Sequence, residues 1–334
     1  MAWSGVNTEG VHDDDQRHET VSSSTPTTSA PAGRTSIITA FVANIGIAAA
    51  KFLAWLFTGS ASMLAEAIHS TADSANQGLL LWGHHRSKQS PNRQHQFGFG
   101  RERYFWALMV AVMLFAGGGL FALFEGEEKL RIPHQLTSYP WSAAVLILSF
   151  CLEAVSLRTA MREARLIRRA EETWREFIQR TTVPEIAVVL LEDTGALIGL
   201  MVAFAGTTAA EVTGNPRFDA LGSLGIGILL AGIALTLATE MKSLLIGEAA
   251  GPGDTRQILA IMQRDPGVEC VENLRSEHIG PDQLLIVGTV SVLAGTAEDV
   301  STIVTRVERN VRTEVDSACL VYLSPRIHPH RAKE

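Results

Sequence analysis

The sequence predicts an α-helical membrane protein: six transmembrane helices followed by a small α+β cytoplasmic domain of order αββαβ, ferredoxin-like in outline. Three observations carry this. Of 334 residues, 46% are hydrophobic and only 19% are charged, where a soluble domain carries about 25% charge; the mean hydropathy is +0.15. Between Ser36 and Gly247 run six apolar stretches, approximately 36–58, 61–83, 104–124, 140–161, 184–206 and 217–246, each near the roughly 20 residues that cross a bilayer. After Gly251-Pro252-Gly253 the hydropathy falls and the periodicity changes.

Residues 1–34 are rich in Ser, Thr, Pro and Asp and carry Glu9, Asp13, Asp14, Asp15 and Glu19 against Arg17 and Arg34. Such a segment cannot bury enough apolar surface to fold. Its acidity is foreign to transit peptides, and it lacks the basic-then-apolar order of a secretory signal. It reads as a disordered acidic tail, ahead of a transmembrane domain over 35–250.

The loops set the orientation. Arg86, Lys88, Arg93, Arg101 and Arg103 lie between the second and third stretches. Arg158, Arg162, Arg165, Arg168, Arg169, Arg175 and Arg180 lie between the fourth and fifth. The alternate links are Thr58-Gly59-Ser60, a mixed segment holding Glu125, Glu127, Glu128, Lys129 and Arg131, and one holding Glu211 with Arg217 at its edge. Lys and Arg collect on the cytoplasmic side, so both termini are expected there. The acidic first segment favours a bacterial plasma membrane over a mitochondrion.

Beyond Gly253, residues 254–264 read as a helix with Ile258, Leu259 and Met262 on one face. Residues 268–277 and 283–293 read as strands, the second placing Leu284, Ile286, Val290 and Val292 on one face. Val300, Ile303, Val304, Val307 and Val311 mark an amphipathic helix over 297–314, and 318–324 a closing strand. This gives a cytoplasmic domain over 251–327 and a frayed tail over 328–334. About 75 residues is near the lower limit for independent stability, which pairing with a second copy would relieve.

Several function classes are excluded. A net charge of −7 gives no electrostatic footprint for nucleic acid. Cys151, Cys270 and Cys319 are too scattered for a zinc knuckle or a disulfide framework. The signatures of P-loop nucleotide binding, serine hydrolases and zincins are absent. Gly195 with Gly199, the set Gly222, Gly225 and Gly227, and the run Gly117–Gly119 mark close helix contact.

The chemistry lies in charge that should not be inside a membrane. The second stretch contains Glu66, His69 and Asp73 at spacings of three and four, on one helical face. The fifth contains Glu192 and Asp193, about 100° apart around a helix, so only one can point directly at the first pair. For His69 alone, a hydrogen-bonded packing histidine is the better reading. For His69, Asp73, Glu192 and Asp193 together it is a metal site, because carboxylates at one apolar depth repel unless protonated or metal-bound. Glu66 reads as supporting the site. Asn44 divides evenly between packing and pathway, and Asp219 reads as a cap after Asn215-Pro216. His84, His85 and His95 read as a solvated loop, and His278 as a loop histidine.

The stretch Gly59-Ser60-Ala61-Ser62-Met63-Leu64-Ala65-Glu66-Ala67-Ile68-His69-Ser70-Thr71-Ala72-Asp73 resembles the second helix of the cation diffusion facilitator family. Ala43-Asn44-Ile45 through Lys51 resembles its first helix and Phe97-Gly98-Phe99-Gly100-Arg101 its entry to the third. Asp219-Ala220-Leu221-Gly222-Ser223 through Leu244-Leu245-Ile246-Gly247-Glu248 is similar to its sixth. The resemblance covers about 36–325, and Leu191-Glu192-Asp193-Thr194 resembles the zinc transporter nine-like branch.

The resemblance implies a homodimer, joined through the cytoplasmic domain, that exports Zn²⁺ or a similar ion against inward protons. Zn²⁺ is the family's default cargo, with Mn²⁺, Fe²⁺, Co²⁺ and Ni²⁺ open. It implies no prosthetic group and no enzymatic step. It carries transport ligands onto His69, Asp73 and Asp193. The fourth position falls on Val189, which cannot bind metal, so Glu192 is the substitute. The family's cytoplasmic metal positions fall on Glu272, Gly288, Ser301, Tyr322 and Ser324, most of them unfit, so dimerisation without a binuclear zinc centre is expected. An intramembrane metalloenzyme and a metal-sensing scaffold are the rival classes.

Overall fold

The computed structural model describes residues 34–58, 61–132, 139–294, 296–315 and 317–328. The acidic tail expected over 1–34 and the frayed tail expected over 328–334 lie outside them, except for Arg34, which opens the first helix, and His328, which ends the last strand.

Helix α1 spans Arg34–Thr58 and α2 spans Ala61–Ser87. The third apolar stretch, expected as one span, is α3 (Glu102–Met113), a π-helical segment Leu114–Leu120 and α4 (Phe121–Arg131). The wide turn coincides with Gly117–Gly119, where missing side chains weaken the preference for regular α geometry. Helix α5 (Tyr139–Ile167) is followed by the short α6 (Trp174–Arg180), started by a reciprocal Thr173–Glu176 cap. Helix α7 (Pro184–Thr213) begins with Pro184 in its first turn, and Gly214 ends it at φ +66°. Helix α8 spans Arg217–Ile246.

Five helical segments among the described residues are long and apolar enough to cross a membrane: 37–57, 102–131, 143–167, 184–213 and 217–246. Helix α2 is long enough at 27 residues but is not among them; its polar residues lower the hydropathy on which length alone would pass. The chain is thus a multi-pass membrane protein.

Glycine brings the third segment against α8. A Cβ on Gly119 would lie 3.0 Å from the Ala231 nitrogen, and one on Gly227 would lie 2.8 Å from the Leu123 nitrogen. The expected glycine contacts of α7 also hold: a Cβ on Gly195 would meet the Ile233 side chain. Packing between lipid-facing helices has little hydrophobic drive, so such close approach supplies the attraction. Asp219 does not cap α8. It accepts from Thr207 Oγ1 at 3.0 Å and pairs with Lys129 Nζ at 3.0 Å, tying α7 and α4 to α8. The Asn215 side chain caps instead, accepting from the Arg217 N–H at 3.1 Å.

The carboxyl-terminal unit follows the expected order: α9 (Pro252–Gln263), β1 (Val268–Gly280), β2 (Gln283–Leu293), α10 (Ala297–Glu314) and β3 (Ala318–His328). The sheet order is β1-β2-β3, antiparallel across the β1–β2 hairpin and parallel where α10 crosses over to β3. Leu284, Ile286, Val290 and Val292 are buried with Ile258, Met262, Ile303, Val307 and Val311, as the periodicity requires. Strands β1 and β3 run longer than their sequence pattern. The β1 extension carries the hairpin to the membrane helices: a Cβ on Gly100 would lie 2.7 Å from the Ile279 carbonyl oxygen, and Thr182 Oγ1 donates to the Pro281 carbonyl at 3.0 Å. His278 therefore sits in a strand, not a loop. Burial lowers its pKa, and nearby Glu248 and Asp254 only partly oppose this.

Asp265 anchors α10 by accepting from Arg306 Nε at 2.5 Å and Nη2 at 2.8 Å. This hydrogen bonding holds its carboxyl below the usual aspartate range. A depressed folded pKa stabilises above the unfolded value and is lost as pH falls through the folded one. Asp265→Asn should therefore lower the thermal unfolding midpoint near neutral pH, and the gap to wild type should close as pH falls through the carboxylate range. Detergent-solubilised protein scanned at several pH values checks this. Gly227→Leu should cost about 1–3 kcal/mol through overpacking against Leu123, read as a lower midpoint in the same assay.

Candidate functional site

The site is built on four helices. Helix α1 packs against α2, α5 and α7, and α3 packs against α2 and α7. The closest backbone neighbours of α2 are α1 and α3, and those of α7 are α8 and α5. Side chains bridge α2 to α7, and they are polar. Asn76 Nδ2 donates to Glu192 Oε1 at 3.2 Å, and Gln77 Nε2 donates to Glu192 Oε2 at 2.8 Å. Asn44 Nδ2 on α1 donates to Gln77 Oε1 at 3.2 Å. Asn44, Gln77 and Glu192 thus form one buried chain through three helices, which gives Asn44 a packing role.

Glu192 and Asp193 are both buried, yet they serve different neighbours, as their 100° separation requires. Glu192 turns toward the α2 amides, while Asp193 is 1% exposed and its Oδ2 has no hydrogen-bond partner. Asp73, near the middle of α2, stands in the electrostatic field of Glu192. His69 lies in α2 one turn before Asp73, but its side chain and that of Glu66 fall outside the described residues. Among the described residues no three His, Cys, Asp or Glu side chains converge closely enough to hold a metal ion; Asp73, Glu192 and Asp193 do not close such a shell by themselves.

Two charged residues that sequence reading passed over belong to this region. Glu153 on α5 is buried and lies in the field of Asp193, Asp73 and Lys51. Lys51 on α1 is buried too, and its Nζ donates to Ser70 Oγ at 2.9 Å. The rule that singled out Asp73 and Asp193, charge inside an apolar stretch, finds both when applied to the first and fourth stretches.

A second ionic cluster lies where α2, α3 and α7 meet the β1–β2 hairpin. Arg103 grips Glu185 with two hydrogen bonds, Nε to Oε1 at 2.5 Å and Nη2 to Oε2 at 2.6 Å, and reaches Asp282 at 3.4 Å. Side-chain exposures are 5% and 1% for the Arg103–Glu185 pair. His84 is not in a solvated loop: it is buried in α2, 3.8 Å from Glu185, because the helix runs past the apolar stretch to Ser87. His85 is exposed but likewise lies in α2 rather than in a loop, whereas His95 sits exposed in the loop, as expected. The arginine-rich link is also organised, with Arg180 paired to Glu172, Arg168 over the Trp174 ring at 4.9 Å, and Arg169 reaching Asp254 at 3.1 Å.

In the carboxyl-terminal unit, Glu272 accepts from Ser291 at 2.6 Å and pairs with Arg326 at 2.6 Å. Glu272, the one carboxylate among the five positions singled out in this unit, is thus engaged in a surface ion pair.

The family model for the cation efflux transmembrane domain matches residues 37–246. The human mitochondrial proton-coupled zinc antiporter SLC30A9 is 35% identical over 231 residues, covering 69% of this chain and 41% of the relative. Metal tolerance protein C4 of Arabidopsis thaliana is 33% identical over 246 residues, covering 73% and 54%. The cation-efflux pump FieF of Cronobacter sakazakii is 28% identical over 239 residues, covering 70% and 73%. The chain spans less than half the length of the zinc antiporter it matches.

Glu185→Ala would leave Arg103 buried with its main partner gone, a loss of about 3–5 kcal/mol. The double variant Arg103→Ala/Glu185→Ala should recover part of it. A double-mutant cycle on unfolding in detergent measures the coupling.

Proposed function

The chain belongs to the cation efflux, or cation diffusion facilitator, family, in the branch resembling zinc transporter nine, and on that premise we propose that it carries a divalent metal cation, Zn²⁺ foremost, across a membrane in exchange for protons. Its work is transport rather than catalysis, and the ion is cargo. The supporting observation is carboxylate charge buried between apolar helices: Asp193 and Glu192 on α7 beside Asp73 on α2. Such charge requires a cation or protons as its counterpart.

In this reading His69, Asp73, Asp193 and Glu192 form the transport site. Metal binds their deprotonated forms and displaces protons, because coordination needs free lone pairs. On the opposite side protons compete for the same carboxylates and for the imidazole, which titrates near 6.5 in water. Protonation releases the ion and neutralises the empty site, so its return through the apolar interior costs less. Metal and protons thus exchange at one place.

Six membrane spans over 35–250, with both termini on the arginine-rich cytoplasmic side, belong to the same proposal, as does the bacterial plasma membrane as its location. The unit from 251 to 327 would pair with a second copy. Its sheet leaves Val287 and Tyr322, cross-strand neighbours in register, 46% and 53% exposed on the face away from α9 and α10, and a partner would cover them.

Proteoliposomes with an imposed pH gradient and a panel of Zn²⁺, Mn²⁺, Fe²⁺, Co²⁺ and Ni²⁺ test the function. Wild type should show metal flux that collapses with the gradient. Asp73→Ala and Asp193→Ala should abolish flux while still reaching the membrane. Wild-type rates from both variants would overturn the site, and flux indifferent to the gradient would overturn the exchange.

A further inference from the structure

Helix α5 has a buried side and an exposed side, and the exposed side changes character along its length. Ser149, Glu153, Ser156, Ala160 and Ala164 are buried. On the opposite side Ile147, Cys151, Val155, Arg158, Arg162 and Arg165 share an arc of about 80°, at roughly 100° per residue. All six are exposed, Ile147 at 57% and Val155 at 58%. One continuous stripe thus begins apolar and ends in three arginines. No acid shares it: Glu163 stands about 100° around the helix from Arg162. Among the described residues, the ion pairs of this region go to Arg169 with Asp254 and to Arg180 with Glu172, and none reaches Arg158, Arg162 or Arg165.

Depth gives the stripe its meaning. The apolar part of α5 begins at Ala143, and about 20 helical residues cross the hydrocarbon of a bilayer. The far boundary therefore falls close to Arg162. The Arg169–Asp254 pair puts this end of α5 on the side of the carboxyl-terminal unit. Apolar groups mark the same level: Leu166 is 81% exposed, and Trp174, under the Arg168 guanidinium, is partly exposed. A tryptophan beside arginines is the usual composition of the headgroup layer.

We propose that Arg158, Arg162 and Arg165 bind the phosphodiester groups of anionic phospholipids in the leaflet on the side of the carboxyl-terminal unit. The occupant must offer an anion at the membrane boundary and hydrocarbon directly above it, and a phospholipid has both. Its acyl chains lie along Ile147, Cys151 and Val155, and its phosphate meets the arginine fork, which matches phosphate oxygens in pairs. Arg158, a turn inside the boundary, reaches it by extending its side chain outward. Three cations without a protein anion select lipids of net negative charge over zwitterionic ones, which bring their own ammonium. The inference rests on α5 crossing the membrane and not on what the chain carries.

The test puts a fluorophore on Cys151, about 10 Å along the helix from Arg158, in full-length protein with Cys270→Ser to leave one exposed thiol. In phosphatidylcholine vesicles, chain-brominated phosphatidylglycerol should quench this label as though enriched at least about fivefold over chain-brominated phosphatidylcholine, and raising the salt should shrink the preference. The triple variant Arg158→Gln/Arg162→Gln/Arg165→Gln should bring the two lipids to parity. Arg275→Gln/Arg309→Gln, which removes exposed arginines of the carboxyl-terminal unit, should leave the preference intact. Circular dichroism and size exclusion report whether the variants fold. Equal quenching in wild type, a preference indifferent to salt, an undiminished preference in the triple variant or an equal loss in the control variant overturns the proposal. A preference erased by inorganic phosphate at matched ionic strength overturns it too, because the arginines then serve a soluble anion. None of these readouts involves metal flux, so the transport reading stands or falls separately.

Discussion

Everything in the membrane part is arranged around the cost of ionised carboxylates among apolar helices. Burying such a group unpaired is far more expensive than any single packing contact can offset. The observed arrangement answers part of that cost with amides: Asn76 and Gln77 hold Glu192, and Asn44 holds Gln77. These bonds also fix the relative height of α1, α2 and α7, because a slide by one turn would leave each donor facing hydrocarbon. Asp193 is left without such support at Oδ2, and the contrast between two adjacent carboxylates is the clearest chemical feature of the interior.

Helix α7 is held at two levels. Glu192 ties it to α2 in the interior, and Glu185, two turns earlier, is clamped by Arg103 and approached by His84. The same Arg103 reaches Asp282 at the tip of the β1–β2 hairpin. Helices α2, α3 and α7 and the carboxyl-terminal sheet therefore share one ionic junction, reinforced by Arg101 with Glu277 and by Thr182 with the Pro281 carbonyl. Any rearrangement that moves α7 near its amino-terminal end must carry the hairpin with it or break a buried ion pair. At the opposite end the joints are glycine contacts and the part-exposed Asp219–Lys129 pair, which yield more readily.

Reading the chain by hydropathy and period located the long helices among the described residues and the αββαβ order of the carboxyl-terminal unit, because both signals arise from which side a residue must hide. The same logic marked Asp73, Glu192 and Asp193. It overlooked Glu153 and Lys51, single acid and single lysine in otherwise convincing apolar stretches and therefore easy to treat as noise. It misplaced His84 and His278, since neither the extension of α2 to Ser87 nor that of β1 to Gly280 leaves an apolar trace; the first lies against Glu185 of α7 and the second meets the segment around Gly100. The cap role given to Asp219 failed for a related reason: Lys129 and Thr207 come from other helices.

What the sequence by itself determined is the set of things local chemistry dictates: apolar rods of bilayer length, an amphipathic sheet-and-helix unit, and acids that have no business in oil. Only the tertiary structure decided which neighbour each acid meets. Two consecutive residues on one helix face different partners, so Glu192 goes to amides and Asp193 to the α5 side, and no spacing rule says which helix will stand at either bearing. That choice depends on how α1, α3 and α5 crowd around α7, and crowding is a property of packed surfaces rather than of any one strip of chain.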